Sequence, residues 1–168
     1  MGNAATLEVA TPTERELVMT RVFDAPRRMV FDSLTRPELL RRWYGPPGWT
    51  VLVCEIDLRV GGGFRFVTRN PAGKEIGQRG VYREIVAPER LVNTEEWEDW
   101  NPGEVLVTTE LAERDGRTSF AATLLFPSRE VRDMLIRSGM TKGAADTYDK
   151  LETLLVALKD EGLEAATS

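Results

Sequence analysis

Apolar and polar positions change period twice along the chain. From Thr50 to Val60, Leu52, Cys54, Ile56 and Leu58 alternate with Glu55, Asp57 and Arg59, the two-residue period of a half-buried strand. Arg15–Phe23, Phe64–Arg69, Ile76–Val86, Leu91–Trp97, Val105–Glu113 and Arg117–Phe126 are rich in β-branched and aromatic residues and also read as strands. Gly61-Gly62-Gly63, Asn70-Pro71-Ala72-Gly73, Ala87-Pro88-Glu89-Arg90 and Asp115-Gly116 punctuate them as turns. After Ser128 the period becomes helical. Ser128 suits the cap of a helix over Arg129–Ile136, and Ser138-Gly139 interrupts it. Met140, Ala144, Thr147, Tyr148, Leu151, Leu155 and Leu158 then recur at the spacing of one long helix.

The first strand is followed by a different kind of segment. Asp24 precedes Ala25-Pro26, which places proline in a first helical turn. Thr35 and Glu38 fit a capping box opening a second, very short helix with Leu39, Leu40 and Trp43 on one side. Gly45-Pro46-Pro47-Gly48 ends it. Strands joined by short turns are antiparallel neighbours. The order predicts an α+β fold: a curved seven-stranded antiparallel sheet wrapped on a long C-terminal helix, with two short helices between strands one and two. Residues 1–13 and 161–168 read as flexible tails around a single domain over 14–160.

Composition narrows the chemistry. The chain has 168 residues, 42% hydrophobic and 29% charged, an ordinary balance for a globular protein. Its net charge of −5 speaks against broad nucleic-acid binding. No apolar run is long enough to span a membrane, and the opening residues lack a signal-peptide pattern, so a cytoplasmic location is expected. The lone cysteine, Cys54, sits in an apolar run and reads as a buried small hydrophobe. There is no histidine. That removes histidine bases, Ser-His-Asp and Cys-His systems and His-rich metal sites. No metal and no cofactor are expected. Gly61–Gly63 leads into a strand rather than a helix, unlike a phosphate-binding loop. Asp57 and Arg59 read as fixing that turn.

The stretches VFDAPRRMVFDSLT, RRWYGPPGWT, IDLRVGGGFRF, RGVYREIVAPERLV and SGMTKGAADTYDKLETLL resemble, in order and spacing, the helix-grip (START-like) superfamily. Within it the chain is similar to the bacterial branch named for the activator of Hsp90 ATPase homology domain, over about Arg15–Leu158. That resemblance implies a deep cavity between sheet and long helix. The superfamily includes lipid and hormone carriers, polyketide cyclases and co-chaperone modules, so fold alone does not fix function.

Candidate cavity residues follow from these placements. Trp43, Trp49 and Trp97 converge on one mouth, and Phe64, Phe66, Tyr82 and Tyr148 fall on elements facing the interior. They either fill the core or line a partly hollow one. Gly139, Gly143 and Ala144 stand where the helix crosses the cavity and leave room beside Met140 and Tyr148. Tyr82 and Tyr148 are placed to orient a ligand, and Thr109 either joins them or bonds nearby backbone. Either Leu91, Asn93, Glu95 and Trp97 point inward, or Val92, Thr94 and Glu96 do. The acidic run Glu95–Asp99 is either a solvated strand end or the source of one desolvated carboxylate at the mouth. Arg27, Arg28, Arg36, Arg41 and Arg42 read as a solvated helix face, with a patch for an acidic partner as the alternative. The expected ligand site is therefore Trp43, Trp49, Phe66, Tyr82, Trp97, Thr109, Met140, Ala144 and Tyr148. The leading expectation is binding of a small hydrophobic or aromatic molecule. The alternatives are a cofactor-free cyclase, hydratase or lyase acting in the same cavity, and a chaperone-associated interaction module. A homodimer is admissible on base rates.

Overall fold

The computed structural model describes residues 6–162. Eight strands form one antiparallel sheet: β1 (Glu8–Ala10), β2 (Glu16–Phe23), β3 (Thr50–Ile56), β4 (Gly63–Arg69), β5 (Glu75–Val86), β6 (Arg90–Trp97), β7 (Val105–Arg114) and β8 (Arg117–Leu125). Their spatial order is β1-β2-β8-β7-β6-β5-β4-β3. The helices are α1 (Arg27–Thr35), α2 (Pro37–Leu40), α3 (Arg129–Arg137) and α4 (Met140–Asp160). β2 pairs with β8 along its whole length, from Glu16↔Leu125 to Phe23↔Thr118. The first long strand thus lies beside the last, and α1 and α2 carry the chain across to the far edge.

The sheet has one strand more than the sequence pattern predicts. β1 falls within residues 1–13, read from sequence as a flexible tail, and pairs Glu8↔Thr20 through Ala10↔Val18. All three of its residues are exposed. Backbone pairing and the neighbouring Leu7, packed against the core, hold it, and three exposed residues present no hydrophobic period. Thr13 is also fixed, because the Arg132 guanidinium donates to its carbonyl at 2.5 Å. The expected C-terminal tail, 161–168, lies outside the described residues beyond Gly162.

Inward alternation is clear on β7, where Val105, Val107, Thr109 and Leu111 are buried, and on β8, where Thr118, Phe120, Ala122 and Leu124 are. β3 departs from the expected alternation. Its register shifts between Val51 and Val53, the strand stops at Ile56, and Leu58 is 40% exposed beyond it. A bulge adds twist and breaks the two-residue period. β5 has a second bulge between Tyr82 and Glu84. The turn after β3 follows the expectation: Arg59 Nε donates to Asp57 Oδ2 at 2.8 Å, and a Cβ on Gly62 would strike the Asp57 carbonyl.

The proposed capping box is absent. Thr35 is the last residue of α1, and its hydroxyl donates to the Phe31 carbonyl at 2.8 Å. Arg36, extended at φ −100° and ψ 122°, is the N-cap of α2. A residue before proline disfavours helical backbone, and this separates the two helices one position later than expected. α3 is capped as expected, with Ser128 Oγ accepting from the Val131 amide at 3.1 Å. Gly139, at φ +94°, turns the chain from α3 into α4, in backbone that glycine adopts freely.

α4 lies over the concave face. Its second half buries Leu151, Leu154 and Leu155. From Met140 to Lys150 it has no fully buried residue. Arg21 of β2, itself buried, reaches Asp149 at 2.7 Å and ties the middle of the helix to the sheet. Among the described residues no helix is long and apolar enough to cross a membrane.

Candidate functional site

Beneath the first half of α4 the sheet and helix enclose a cavity of about 580 Å³. That lies within the ~300–1,000 Å³ typical of small-molecule sites. The small side chains of α4 keep it open: a Cβ on Gly143 would meet nothing nearer than Pro46 Cγ at 3.8 Å. The segment after α2 supplies one wall. The Trp43 indole donates to the Ser33 carbonyl at 2.8 Å and stacks on Tyr148, with ring centroids 6.0 Å apart. Tyr44 packs on Phe66 at 5.1 Å, and Phe66 on Phe64 at 4.9 Å. Lys150 Nζ donates to the Gly45 carbonyl at 3.0 Å and fastens this segment to α4. Burial lowers the Lys150 ammonium from its ordinary value.

Two groups of polar side chains face the cavity. The first is a chain: the Tyr44 hydroxyl donates to Gln78 Oε1, and Gln78 Nε2 donates to Glu95 Oε1 at 2.6 Å. The other Glu95 oxygen has no hydrogen-bond partner among the described residues. Burial, partly opposed by the Gln78 bond, raises the Glu95 carboxyl to about 7. Glu95 is half-buried and lines the cavity. Burial, together with the nearby Glu95 charge, raises the Tyr44 and Tyr148 phenols. The second group crosses the floor. Tyr82 on β5 is opposite Asn93 on β6, and Thr109 on β7 is opposite Leu91. Asn93 Nδ2 donates to the Thr94 carbonyl at 3.1 Å. The Tyr82, Thr109 and Tyr148 hydroxyls have no side-chain or backbone partner among the described residues. Burial raises the Tyr82 phenol, and also the Cys54 thiol behind it, the latter opposed by Arg41.

All nine expected residues line this one cavity: Trp43, Trp49, Phe66, Tyr82, Trp97, Thr109, Met140, Ala144 and Tyr148. Trp43 is not at the mouth. It is only 3% exposed and forms an inner wall. The outermost tryptophan is Trp100, 45% exposed and 5.9 Å from Trp97, which the sequence reading did not select. β6 turns Leu91, Asn93, Glu95 and Trp97 inward, which resolves the facing left open by the sequence. Glu95 is the desolvated carboxylate of the acidic run. Glu98 is instead paired with Arg65 at 2.8 Å, which holds its carboxyl below the ordinary value. Tyr44 and Gln78 were missed. The signal for Gln78 was its place in the inward register of β5 with Ile76 and Tyr82. Three of the five helix-pair arginines meet carboxylates: Arg28 with Asp32 at 3.4 Å, Arg27 with Glu89 at 3.5 Å and Arg42 with Glu161 at 3.2 Å. Among the described residues no cluster of three or more His, Cys, Asp or Glu could hold a metal ion.

Known proteins agree with this architecture. The family model described as Activator of Hsp90 ATPase homolog 1-like protein matches residues 24–156. A crystal structure of a Rhodobacter sphaeroides protein is similar at 29% identity and a TM-score of 0.86, covering 91% of this chain and 99% of that one. A Nitrosomonas europaea protein is similar at 28% identity and 0.79, covering 90% and 98%. A Mycobacterium smegmatis protein shares the fold at 23% identity and 0.80, covering 90% and 96%. No curated protein matches the chain significantly.

Proposed function

The chain belongs to the Activator of Hsp90 ATPase homolog 1-like family, and we propose that it binds a small hydrophobic or aromatic molecule in the cavity beneath α4, as a carrier, sensor or sequestering protein. The observation that carries this reading is a hollow, aromatic-walled interior lined by the hydroxyl-bearing residues Tyr82, Thr109 and Tyr148. Tyr82 is 4% exposed, yet its hydroxyl has no protein partner. Such a hydroxyl, bordering the hollow, can give a ligand one hydrogen bond, worth about 0.5–1.5 kcal/mol. Transfer of an apolar ligand into these aromatic walls supplies roughly 25 cal/mol for each Å² removed from water. The ligand-binding residues of this reading are Trp49, Phe66, Tyr82, Trp97, Thr109, Met140, Ala144 and Tyr148, with Trp43 behind them.

The test is titration with the neutral fluorophore N-phenyl-1-naphthylamine, joined to native mass spectrometry of freshly purified protein. Binding at micromolar concentrations or tighter, quenching of tryptophan emission and persistence in high salt are expected, because the contact is apolar. Failure of the fluorophore and of a panel of diverse hydrophobes would refute the reading.

One observation favours a second reading, an enzyme of the cyclase, hydratase or lyase type. Glu95 is raised to about 7, where a carboxyl can give or take a proton near neutral pH. A bound compound recovered chemically altered by the wild type, and unaltered by Glu95→Gln, would favour the enzyme over the binder.

A further inference from the structure

Among the described residues Glu95 is the only carboxylate lining the cavity, and it has no countercharge there. No described lysine or arginine lines the cavity. The groups facing Glu95 are Tyr44 from the segment after α2, Gln78 from β5, Trp97 from its own strand and Tyr148 from α4. β7 contributes Val107 and Thr109, which do not titrate. All of these are neutral at pH 7. An anionic ligand would meet a potential charge of its own sign and no cation. The free Glu95 oxygen lacks a donor. The faces of Tyr44, Tyr148 and Trp97 supply the negative potential that attracts cations.

We propose that Glu95 and the aromatic rings around it recognise the protonated or quaternary amine of an otherwise apolar ligand. This inference rests on the cavity being a ligand site and names the ligand's class. The amine supplies the missing positive charge, and its apolar remainder occupies the hollow beneath Gly143 and Ala144. Binding and ionisation are then linked, because only the ionised carboxylate pairs with the cation. With Glu95 near 7, only about 3% of it is ionised at pH 5.5 and nearly all at pH 8.5.

The experiment uses two probes of one shape: benzyltrimethylammonium, a permanent cation, and neopentylbenzene, its neutral carbon isostere. Each displaces N-phenyl-1-naphthylamine from the full chain at pH 5.5, 7.0 and 8.5. The cation's affinity is expected to rise about 30-fold from pH 5.5 to 8.5, following the ionised fraction of Glu95. That of the neutral isostere should stay level or fall. Calorimetry at pH 7.0 in buffers of different ionisation enthalpy should show proton release with the cation alone. Glu95→Gln should abolish the pH dependence for the cation while retaining the isostere. Should that variant not fold, the wild-type pH series decides by itself. An isostere that binds beside a cation that does not, or beside a cation whose affinity is flat in pH, overturns the amine assignment and leaves the cavity reading standing. Cation affinity falling with pH also overturns it. If neither probe nor the fluorophore binds, both readings fall.

Discussion

Between Leu151 and Asp160, α4 lays Leu151, Leu154 and Leu155 into a closed core; between Met140 and Lys150 the same helix covers a cavity of about 580 Å³. The difference lies in side-chain size. Leucines at helical spacing fill one half, while Gly143 and Ala144 leave the other short of the sheet. Arg21 and Asp149, paired at 2.7 Å, mark the boundary. The closed half can therefore carry the stability that the open half forgoes. A cavity costs free energy in lost contacts and burial. Such a loss persists within a single helix when the adjoining packing can sustain it.

Leu155→Ala makes the sharpest break in this comparison. Leu155 is fully buried, so the change is expected to cost about 2–5 kcal/mol. Chemical denaturation gives the number, and a cost under 1 kcal/mol would show that the second half is not closed. Stability should also depend on pH through Glu95, in the direction opposite to that of a salt-bridged carboxylate. Its carboxyl rises from 4.5 unfolded to about 7 folded, so the folded state holds the extra proton between those values. Stability from this group is fully present below about pH 4.5 and is lost as pH rises through 7. The gap corresponds to ~3 kcal/mol. Subtracting the denaturation free energy of Glu95→Gln from that of wild type between pH 4 and 8.5 isolates it, since Glu98 and Asp133, both lowered by arginine partners, act in the other direction. A difference independent of pH would mean that Glu95 is in contact with bulk water.

Two smaller effects test the open half. Tyr82→Phe should weaken binding of a hydroxyl-matched ligand by about one hydrogen bond, ~0.5–1.5 kcal/mol. It should leave the affinity for N-phenyl-1-naphthylamine within error, a contrast that paired titrations resolve. Ala144→Trp should change stability least of all, by less than about 1 kcal/mol, because the indole enters empty space. Overpacking of a filled core would cost about 1–3 kcal/mol instead. The same variant should no longer take up the fluorophore. Denaturant midpoints and a dye titration on one sample distinguish the outcomes.

The closed regions were easier to read from sequence than the open ones, for physical reasons. Leu151 and Leu155 repeat at helical spacing, and Val105 to Leu111 alternate, because each is buried against a uniform apolar surface. β1 has no such surface, so Glu8–Ala10 carries no pattern and the sheet was read one strand short. Thr35 has the residue type of a cap but sits one position inside α1, where its hydroxyl finds the Phe31 carbonyl first. In the cavity the aromatic lining was legible from Phe66, Tyr82 and Tyr148. The polar chain was not. Tyr44, Gln78 and Glu95 are distant in sequence and meet only after β5 pairs with β6 and the segment after α2 folds over them. Trp43 lies deeper than its sequence position suggests because its indole donates to the Ser33 carbonyl, and Trp100 gives no period that marks it as the outermost tryptophan.

The pairing of β2 with β8 sets the order in which the molecule can assemble. Its partners are roughly a hundred residues apart, and contacts of such long span slow folding because the chain must close a large loop first. On the ribosome, β2 emerges early and waits, edge unpaired, until β8 is made. Meanwhile β3 to β7 can form from neighbours in sequence. β8 closes the sheet by docking between β7 and β2, and α4 follows it in the chain. The hollow is thus roofed last, by the segment whose small residues keep it open. Until α4 packs against it, the apolar concave face of the sheet stays open to solvent.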